Sequence, residues 1–447
     1  MLLLRKIIYR VYRLVTAVRY RAKRRFTHAG LAVLAGLFIT GAIGLDMEQT
    51  VAAQAFTLLI GLLVLAFACS AFFHFRFSAV RSLPRYGTVG HPLSYRVALR
   101  NGTANTQTGL VLLEDLADPR PKFAEFVAAQ TAEENQTRSF RVSRRASRLR
   151  FTRAMVKEVP VPPVPPGQET EVQVELQPLK RGVLRFTGLT LARPDPLGLV
   201  KAYARLPLPQ SVLILPKRYP LPPLALPGAA RYQHGGVALA ASVGESEEFV
   251  SVRDYRRGDP LRHIHWRSWA KTGRPIVKEF EDEFFVRHAL ILDTFITHPN
   301  SEVFEEAVAV AASFACTVQT QESLLDLLFV GAEAYCFTAG RGLGHTEQML
   351  EVLASVQVCR EKSFDALEHL VLDHVEAVSG CICVLLAWDE RRRKFVQQLR
   401  ALGVPVLVLV IVEAGGAKMR DAGPLRDDPA SFHVLEVGAV AEGLAKL

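Results

Sequence analysis

The chain has 447 residues, with 54 lysines and arginines against 44 acidic residues and a formal net charge of +10. This length predicts two or three domains, each able to bury its own core. The positive charge is confined to the amino terminus, where residues 1–27 contain nine bases and no acid. The other 45 bases and 44 acids nearly cancel, which argues against nucleic acid as a partner.

The cysteines form no C-x-x-C pair, and one of them lies within an apolar run. A zinc site or a disulfide framework is therefore not expected. We predict reduced thiols in a reducing compartment, and no cofactor. The six cysteines are Cys69, Cys316, Cys336, Cys359, Cys381 and Cys383.

The basic amino-terminal segment, residues 1–28, alternates bases with apolar residues at roughly helical spacing over residues 2–20. A helix of this kind would lie on the inner leaflet of a lipid bilayer, attracted by about 1 kcal/mol per base near anionic lipid. The alternative is a plain topology signal that forms no folded helix.

Two uncharged apolar runs follow, of 17 residues at 29–45 and 23 residues at 51–73. A helix of about 20 residues crosses the ~30 Å hydrocarbon core, so residues 29–73 are predicted to form a transmembrane helical hairpin. The short turn between the runs carries only acidic charges, whereas bases flank both outer ends. This bias places both termini in the cytoplasm and predicts a multi-pass membrane protein.

Residues 76–217 contain short alternating segments separated by proline and glycine, which predicts an antiparallel β-sandwich. The clearest alternations are at residues 93–99 and 170–176, with further strands expected at 184–191 and 212–215. Residues 218–243 are rich in proline, alanine and glycine, so they are expected to be a linker.

Residues 244–285 combine nine carboxylates and eight bases with Trp266 and Trp269. Near-balanced charge of this kind predicts an ion-pair network rather than a one-signed binding patch. Asp259 and Pro260 have the residue types of an N-cap and a first helical position, and Gly273 is expected to end that helix.

A pattern of charged, aromatic and glycine residues spans about forty positions of this segment. Its members are Glu248, Phe249, Arg253, Tyr255, Gly258, Asp259, Arg262, Ile264, Trp266, Lys278 and Glu281. The pattern resembles the bacterial family called domain of unknown function 58, with departures at His265 and at residues 268–271. The resemblance implies a membrane-anchored accessory protein that works with MoxR-type AAA+ ATPases and with other membrane or von Willebrand factor A-domain proteins. It implies no known reaction.

In residues 286–447, continuous apolar strands alternate with helical patterns, which predicts a parallel sheet covered on both faces. Strands are expected at residues 288–293, 324–330, 334–337, 381–387 and 404–412. Helices are expected at residues 301–320, 346–356, 363–378 and 390–402. The arrangement resembles a von Willebrand factor A domain, an α/β three-layer fold.

That resemblance implies a metal site above the carboxyl ends of the strands, with D-x-S-x-S as its first ligand motif. The matching positions here are Asp293, Phe295 and Thr297, and Asp389 is a candidate second acid. Magnesium requires oxygen ligands, and the Phe295 side chain has none. We therefore predict no bound metal and a domain used for packing and partner contact.

No P-loop and no G-x-S-x-G motif occurs in the sequence, so an ATPase would have to be a partner. We predict a non-enzymatic scaffold in which Arg253, Asp259, Arg262 and Glu281 form a desolvated charge network, with Trp266 as its apolar anchor. The alternative is a metal-dependent hydrolase whose carboxylates are Glu248, Asp259 and Glu281. An enzyme would hold these groups in an open cleft, whereas a scaffold would bury them.

Overall fold

The chain forms two compact units, Met1–Lys217 and Arg218–Leu447, each of which is described by itself. A computed structural model describes residues 2–43, 50–73, 75–118, 120–121, 123, 126–127, 152–222, 249–257, 259, 261–280, 286–296, 301–317, 323–340, 346–415 and 421–447.

Three helices begin the first unit: α1 (Leu2–Arg25), α2 (His28–Ile43) and α3 (Thr50–Ala71). Within α3, Val51–Ala71 is long and apolar enough to cross a membrane, with a mean hydropathy of 2.3. The apolar part of α2, His28–Ala42, is shorter than a full span. The described residues therefore contain one candidate membrane span, and the second span of the hairpin stays a prediction.

The described residues of the first unit then form nine strands: β1 (Phe77–Ser82), β2 (Tyr86–Thr88), β3 (Leu93–Asn101), β4 (Val111–Leu116), β5 (Ala154–Val156), β6 (Val159–Pro160), β7 (Glu169–Pro178), β8 (Gly182–Pro194) and β9 (Lys201–Leu215). They form two sheets, of order β1-β3-β7-β5 and β2-β9-β8-β4-β6. Buried residues of both sheets, such as Val97, Val174 and Leu191, belong to one apolar core. The alternating burial along β3 and β7 matches the alternation of the sequence.

The β8–β9 hairpin is longer than the sequence pattern predicts. Pro207 and Pro209 interrupt the pattern of β9, and proline usually disfavours a strand interior. A register shift between Phe186 and Gly188 accommodates the irregularity. Gly188 is required there because a side chain would collide with the Leu206 carbonyl.

One ion pair lies inside the sandwich. The side chains of Arg81 and Glu114 are fully buried, with Arg81 Nη2 2.5 Å from Glu114 Oε2 and Arg81 Nε 3.1 Å from Oε1. The Tyr95 hydroxyl donates to Glu114 Oε1 at 2.9 Å, and Arg81 also donates to the Gly188 carbonyl. The Arg81 guanidinium lies 4.5 Å from the centroid of the Phe186 ring. Arg81 is one of the bases that follow the second apolar run in the sequence, and in the folded sandwich it is a core residue.

Arg81→Ala is expected to destabilise the first unit by about 3–5 kcal/mol, because it leaves the Glu114 carboxylate buried without its cation. Limited proteolysis of the purified full-length protein across a denaturant series measures this loss. Arg96→Ala is the matched control, because Arg96 and Glu171 form an exposed pair on the same sheet and such pairs contribute ~0–1 kcal/mol. Equal losses in the two variants would contradict the prediction.

The second unit contains β10 (Phe249–Asp254), α4 (Trp266–Thr272), β11 (Ile276–Phe280), β12 (Val286–Leu292), α5 (Glu302–Thr317), β13 (Ser323–Val330), β14 (Ala334–Ala339), α6 (Thr346–Ser355), α7 (Asp365–Leu372), β15 (Gly380–Leu385), α8 (Glu390–Ala401), β16 (Val406–Val412), β17 (Phe432–Glu436) and α9 (Val440–Leu444). Six strands form one sheet of order β14-β13-β12-β15-β16-β17. All its pairings are parallel except the antiparallel edge pair β13–β14.

Every residue of β15 and β16 is buried, as expected of strands covered on both faces. Side chains of α7 and α8 share a core with Ile291, Cys383 and Val408. The alternate strand residues point to the opposite face, where α5 packs on the sheet. Two sequence expectations need correction: the helix at 363–378 ends at Leu372 and is followed by a 3-10 turn, and β17 with α9 was not predicted.

Candidate functional site

The carboxyl ends of β12 and β15 lie side by side, since Leu292 pairs with Val384 in parallel register. Asp293 follows β12 directly, and its amide continues the ladder to the Val384 carbonyl at 2.9 Å. Asp389 caps the amino terminus of α8, where its side chain accepts from the Arg392 amide at 3.0 Å. The fold thus brings the two candidate acids to the same edge of the sheet.

The Arg392 guanidinium bridges these acids. Its Nε lies 2.6 Å from Asp293 Oδ2, and its Nη1 lies 2.6 Å from Asp389 Oδ2. Its Nη2 donates to the Phe295 carbonyl at 3.2 Å, and its Cζ lies 4.8 Å from the centroid of the Phe364 ring. Each guanidinium nitrogen therefore has an oxygen partner, and the planar group packs against an aromatic ring.

The Asp293 carboxylate is fully buried, and both of its oxygens are occupied. Besides Arg392, the Leu386 amide donates to Oδ2 at 3.1 Å, and the Phe295 amide donates to Oδ1 at 2.9 Å. Burial disfavours the charge on Arg392, but the carboxylates of Asp293 and Asp389 outweigh it and raise the pKa of the guanidinium. The two acids that the sequence offers as metal ligands are therefore both paired with the Arg392 guanidinium.

The Phe295 side chain packs edge-on against Phe364, with ring centroids 5.9 Å apart. Thr297 lies outside the described residues. Within the described part of the chain, no group of three or more His, Cys, Asp and Glu side chains is placed to hold a metal ion. Sequence analysis missed Arg392, although its signal was visible: an i, i+3 spacing from Asp389 places it one helical turn away.

The motif segment forms a small antiparallel hairpin, β10–β11, in which Val252 pairs with Lys278. Between the strands, a 3-10 turn at Leu261–His263 is followed by α4. Ile264 and Val277 are buried and form a β-bridge with each other. Gly273 ends α4 in the left-handed conformation with φ 69°, as the sequence predicts.

The N-cap residue of α4 is His265 rather than Asp259, contrary to the sequence expectation. Asp259 Oδ2 lies 2.7 Å from Arg253 Nη1 and its Oδ1 lies 2.9 Å from Nη2, a bidentate pair between β10 and the segment that follows it. The Arg256 amide also donates to Oδ2 at 2.8 Å. The hydrogen bonds from Arg253 are the main reason that the Asp259 pKa falls to about 2. Asp259 is therefore ionised at neutral pH and held as a structural acceptor.

The expectation that Trp266 is a buried anchor is wrong. Its side chain is 64% exposed, and its ring stacks on Trp269 with centroids 5.2 Å apart and an interplanar angle of 18°. Leu261 is 69% exposed on the adjacent turn. The two-turn helix α4 contains no buried residue. The buried contact of the motif segment is instead the one between Ile264 and Val277. The Trp266–Trp269 pair and Leu261 are called the tryptophan surface below.

The Arg253–Asp259 pair is also incompletely desolvated, with the Arg253 side chain 34% exposed. Tyr255 and Lys278 are half-buried. Glu248, Gly258 and Glu281, with the side chains of Phe249 and Arg262, lie outside the described residues.

Comparison with known proteins finds a family model that matches part of this chain. Residues 251–439 match the family model described as Protein of unknown function DUF58. The match contains Arg253, Tyr255, Asp259 and Trp266, and it continues through β17 of the α/β sheet. A curated relative, "Uncharacterized protein YeaD" of Bacillus subtilis (strain 168), is 28% identical over 184 residues, which are 40% of this chain and 44% of the relative. The aligned part thus spans less than half of that relative.

Solved structures resemble parts of the chain only weakly. The CARDB domain of a Pyrococcus furiosus protein aligns with 32% of this chain and 97% of its own length, at 10% identity and a TM-score of 0.17. A cohesin module from a Clostridium perfringens family 33 glycoside hydrolase aligns with 32% of this chain and 98% of its own length, at 8% identity and a TM-score of 0.15. These scores are too low to support a functional argument.

Arg392→Ala is expected to destabilise the DUF58-matched segment by about 3–5 kcal/mol, because Asp293 would remain buried without a counter-charge. Denaturant unfolding of the purified full-length protein, monitored by proteolysis of the second unit, measures the effect. Lys394→Ala on the same helix is the control, since its pair with Glu390 is exposed and contributes ~0–1 kcal/mol.

Millimolar Mg²⁺ provides a second readout of the same site. The melting temperature of the wild-type protein is not expected to rise, because Arg392 occupies the cation position. A saturable rise that Asp293→Ala abolishes would show instead that a metal displaces the guanidinium, and it would overturn this assignment.

Proposed function

We propose that this protein is a non-enzymatic, membrane-anchored scaffold that works with a MoxR-type AAA+ ATPase to assemble or remodel another protein complex. The observation that carries the proposal is the tryptophan surface. An exposed Trp266 stacked on a half-buried Trp269, within the matched motif, has the composition typical of a protein–protein hot spot. The choice of a MoxR-type ATPase as the partner comes from the resemblance of the motif residues to the domain of unknown function 58 family.

The bridged acids at the sheet edge support a scaffold in a second way. In a von Willebrand factor A-like domain, which we propose for the α/β unit, a bound metal lets a partner's acidic residue complete the coordination shell. Here Arg392 neutralises Asp293 and Asp389 from within the domain. Partner contact through a metal ion is therefore not favoured at this edge of the sheet. The tryptophan surface is the better candidate for the site that binds a partner protein.

The alternative hydrolase depends on Glu248, Asp259 and Glu281. Asp259 has both oxygens engaged by Arg253, and its pKa of about 2 makes it a weak base and prevents it from acting as an acid near neutral pH. Glu248 and Glu281 lie outside the described residues. No described contact favours the hydrolase over the scaffold.

We further propose that α2 and α3 cross the bacterial inner membrane as a hairpin, with both termini in the cytoplasm. The acidic turn between them, and the bases on their outer flanks, support this orientation. A side chain on Gly36 or Gly41 would lie within 3.3 Å of Leu59 or Phe56. Such close approach through small residues is typical of paired membrane helices.

Trp266→Ala is expected to weaken binding of a purified MoxR-type ATPase to the full-length protein in nanodiscs by about tenfold or more, as loss of a hot-spot side chain does. Biolayer interferometry measures the dissociation constant. Leu402→Ala, which removes another exposed apolar side chain of the same unit, should leave it within about twofold. Absence of binding by wild type would refute the ATPase partnership, and equal binding by all three proteins would refute the tryptophan surface.

The orientation is tested by cysteine labelling in intact spheroplasts, in a background where the exposed Cys316 and Cys336 are replaced by serine. Met47→Cys should react with a membrane-impermeant maleimide, because the acidic turn is expected outside. Gln173→Cys, an exposed position of β7, should react only after lysis. The reverse pattern would place the body outside the cytoplasm and remove the proposed ATPase partnership.

A further inference from the structure

Helix α1 directs a continuous apolar face away from the protein. At about 100° per residue, Leu3, Ile7, Val11, Leu14 and Val18 fall within an arc of about 80°. Ile8 and Val15 widen this arc to about 140°. All seven side chains are exposed, from 38% for Ile8 to 77% for Leu3. These seven residues are called the apolar face of α1.

The opposite side of α1 packs on the first unit. The Tyr9 hydroxyl donates to the Pro121 carbonyl at 2.9 Å. The Tyr9 ring lies 5.4 Å from Phe123 and 5.3 Å from Phe126, and the Tyr12 ring lies 5.2 Å from Phe126. Burial raises the pKa of Tyr12. The side that carries Tyr9 and Tyr12 is therefore the side that contacts the first unit.

This orientation is the reverse of that in a water-soluble domain. A surface helix normally buries its apolar stripe against the core and presents its charged side to water. A contiguous apolar face that points away from the protein indicates a membrane or protein contact. The residue types along the borders of the apolar face distinguish a membrane contact from a protein contact.

Bases line both borders of the apolar face. Lys6 and Arg10 lie along one border and Arg19 along the other, and α1 contains no acidic residue. An apolar stripe flanked by lysine and arginine is the composition of helices that lie in the membrane interface, where the bases contact anionic headgroups. Charge complementarity thus favours an anionic phospholipid surface as the occupant.

The carboxyl end of α1 lies beside the end of the candidate membrane span. Arg25 Nη2 lies 3.2 Å from Ser70 Oγ, and its guanidinium lies 5.7 Å from the Phe67 ring centroid. Near the start of α2, the Thr27 amide donates to the Leu199 carbonyl at 3.1 Å. Arg24, in the last turn of α1, has its Nη1 2.5 Å from Asp115 Oδ1. These contacts fix α1 to the sandwich at the point where α3 leaves the bilayer.

We infer that α1 lies in the headgroup region of an anionic membrane, with its apolar face in contact with the acyl chains and its tyrosine side holding the sandwich at that surface. The inference rests on the membrane anchoring in the proposed function and is independent of the ATPase. It adds a lipid-binding site, selective for anionic phospholipid, that the spanning helices alone would not supply.

The test uses full-length protein with single cysteines carrying an environment-sensitive fluorophore, in a background that lacks Cys69, Cys316 and Cys336. Val11→Cys and Leu14→Cys report the apolar face, and Lys6→Cys reports its water-facing border. Leu58→Cys, an exposed position of α3, reports insertion of the span. The protein is placed in nanodiscs of phosphatidylcholine, with or without about 30% phosphatidylglycerol, and quenching by aqueous iodide is measured.

With phosphatidylglycerol, the Val11 and Leu14 labels should be quenched about fivefold less than the Lys6 label, because the acyl boundary excludes a hydrophilic anion. Pure phosphatidylcholine or high salt should reduce this difference. Equal quenching of all α1 labels, with Leu58 protected, would overturn the inference while leaving the anchor intact. Exposure of Leu58 as well would refute the anchor itself.

A different result would assign the apolar face to a protein. If the Val11 and Leu14 labels are protected equally in both lipid compositions, and a cysteine at Val11 cross-links to a second copy, the face is an interface between copies. That outcome also overturns the lipid inference. Lys6→Cys supplies the matched control for cross-linking.

Discussion

The bridge from Asp293 through Arg392 to Asp389 organises the carboxyl edge of the α/β sheet. Asp293 is fully buried and 99 positions from Arg392 in the chain. An unpaired carboxylate at that depth would be strongly unfavourable. The guanidinium relieves this cost and joins the end of β12 to the first turn of α8. The counter-charge for both acids at this edge of the sheet is consequently the Arg392 guanidinium.

The sandwich contains a comparable buried ion pair, between Arg81 and Glu114. In both units a buried carboxylate pairs with a guanidinium that lies beside an aromatic ring, and it accepts from backbone or hydroxyl donors as well. Arg81 binds Glu114 through two nitrogens, whereas Arg392 binds Asp293 through Nε and Asp389 through Nη1. Such pairs add little stability compared with apolar residues of the same size. Their effect is to specify one arrangement of the surrounding strands, since any other leaves a charge unpaired.

The motif hairpin is organised differently, around a small apolar contact between Ile264 and Val277. The Arg253–Asp259 pair closes its turn near the surface, Trp266 remains exposed and Trp269 is half-buried. Trp266, which the sequence analysis predicts as an apolar anchor, is therefore available for contact with a partner.

The sequence by itself determined features that depend on neighbouring residues. These include the alternation of β3 and β7, the continuous apolar strands, the end of α4 at Gly273 and the confinement of positive charge to the amino terminus. Period and composition also revealed the amphipathic character of α1. Each follows from local backbone geometry or from transfer of side chains out of water, both of which are encoded within a few residues.

Only the tertiary structure decided which side chains meet across long separations and which faces are covered. The pairing of β12 with β15 brings Asp293 to Arg392, and no periodic pattern links residues so far apart. The packing of Tyr9 and Tyr12 on Phe126 turned the apolar face of α1 outward. Trp266 is exposed because α4 is too short to bury it. Contact between distant residues depends on how whole elements pack, and a local sequence pattern does not contain that information.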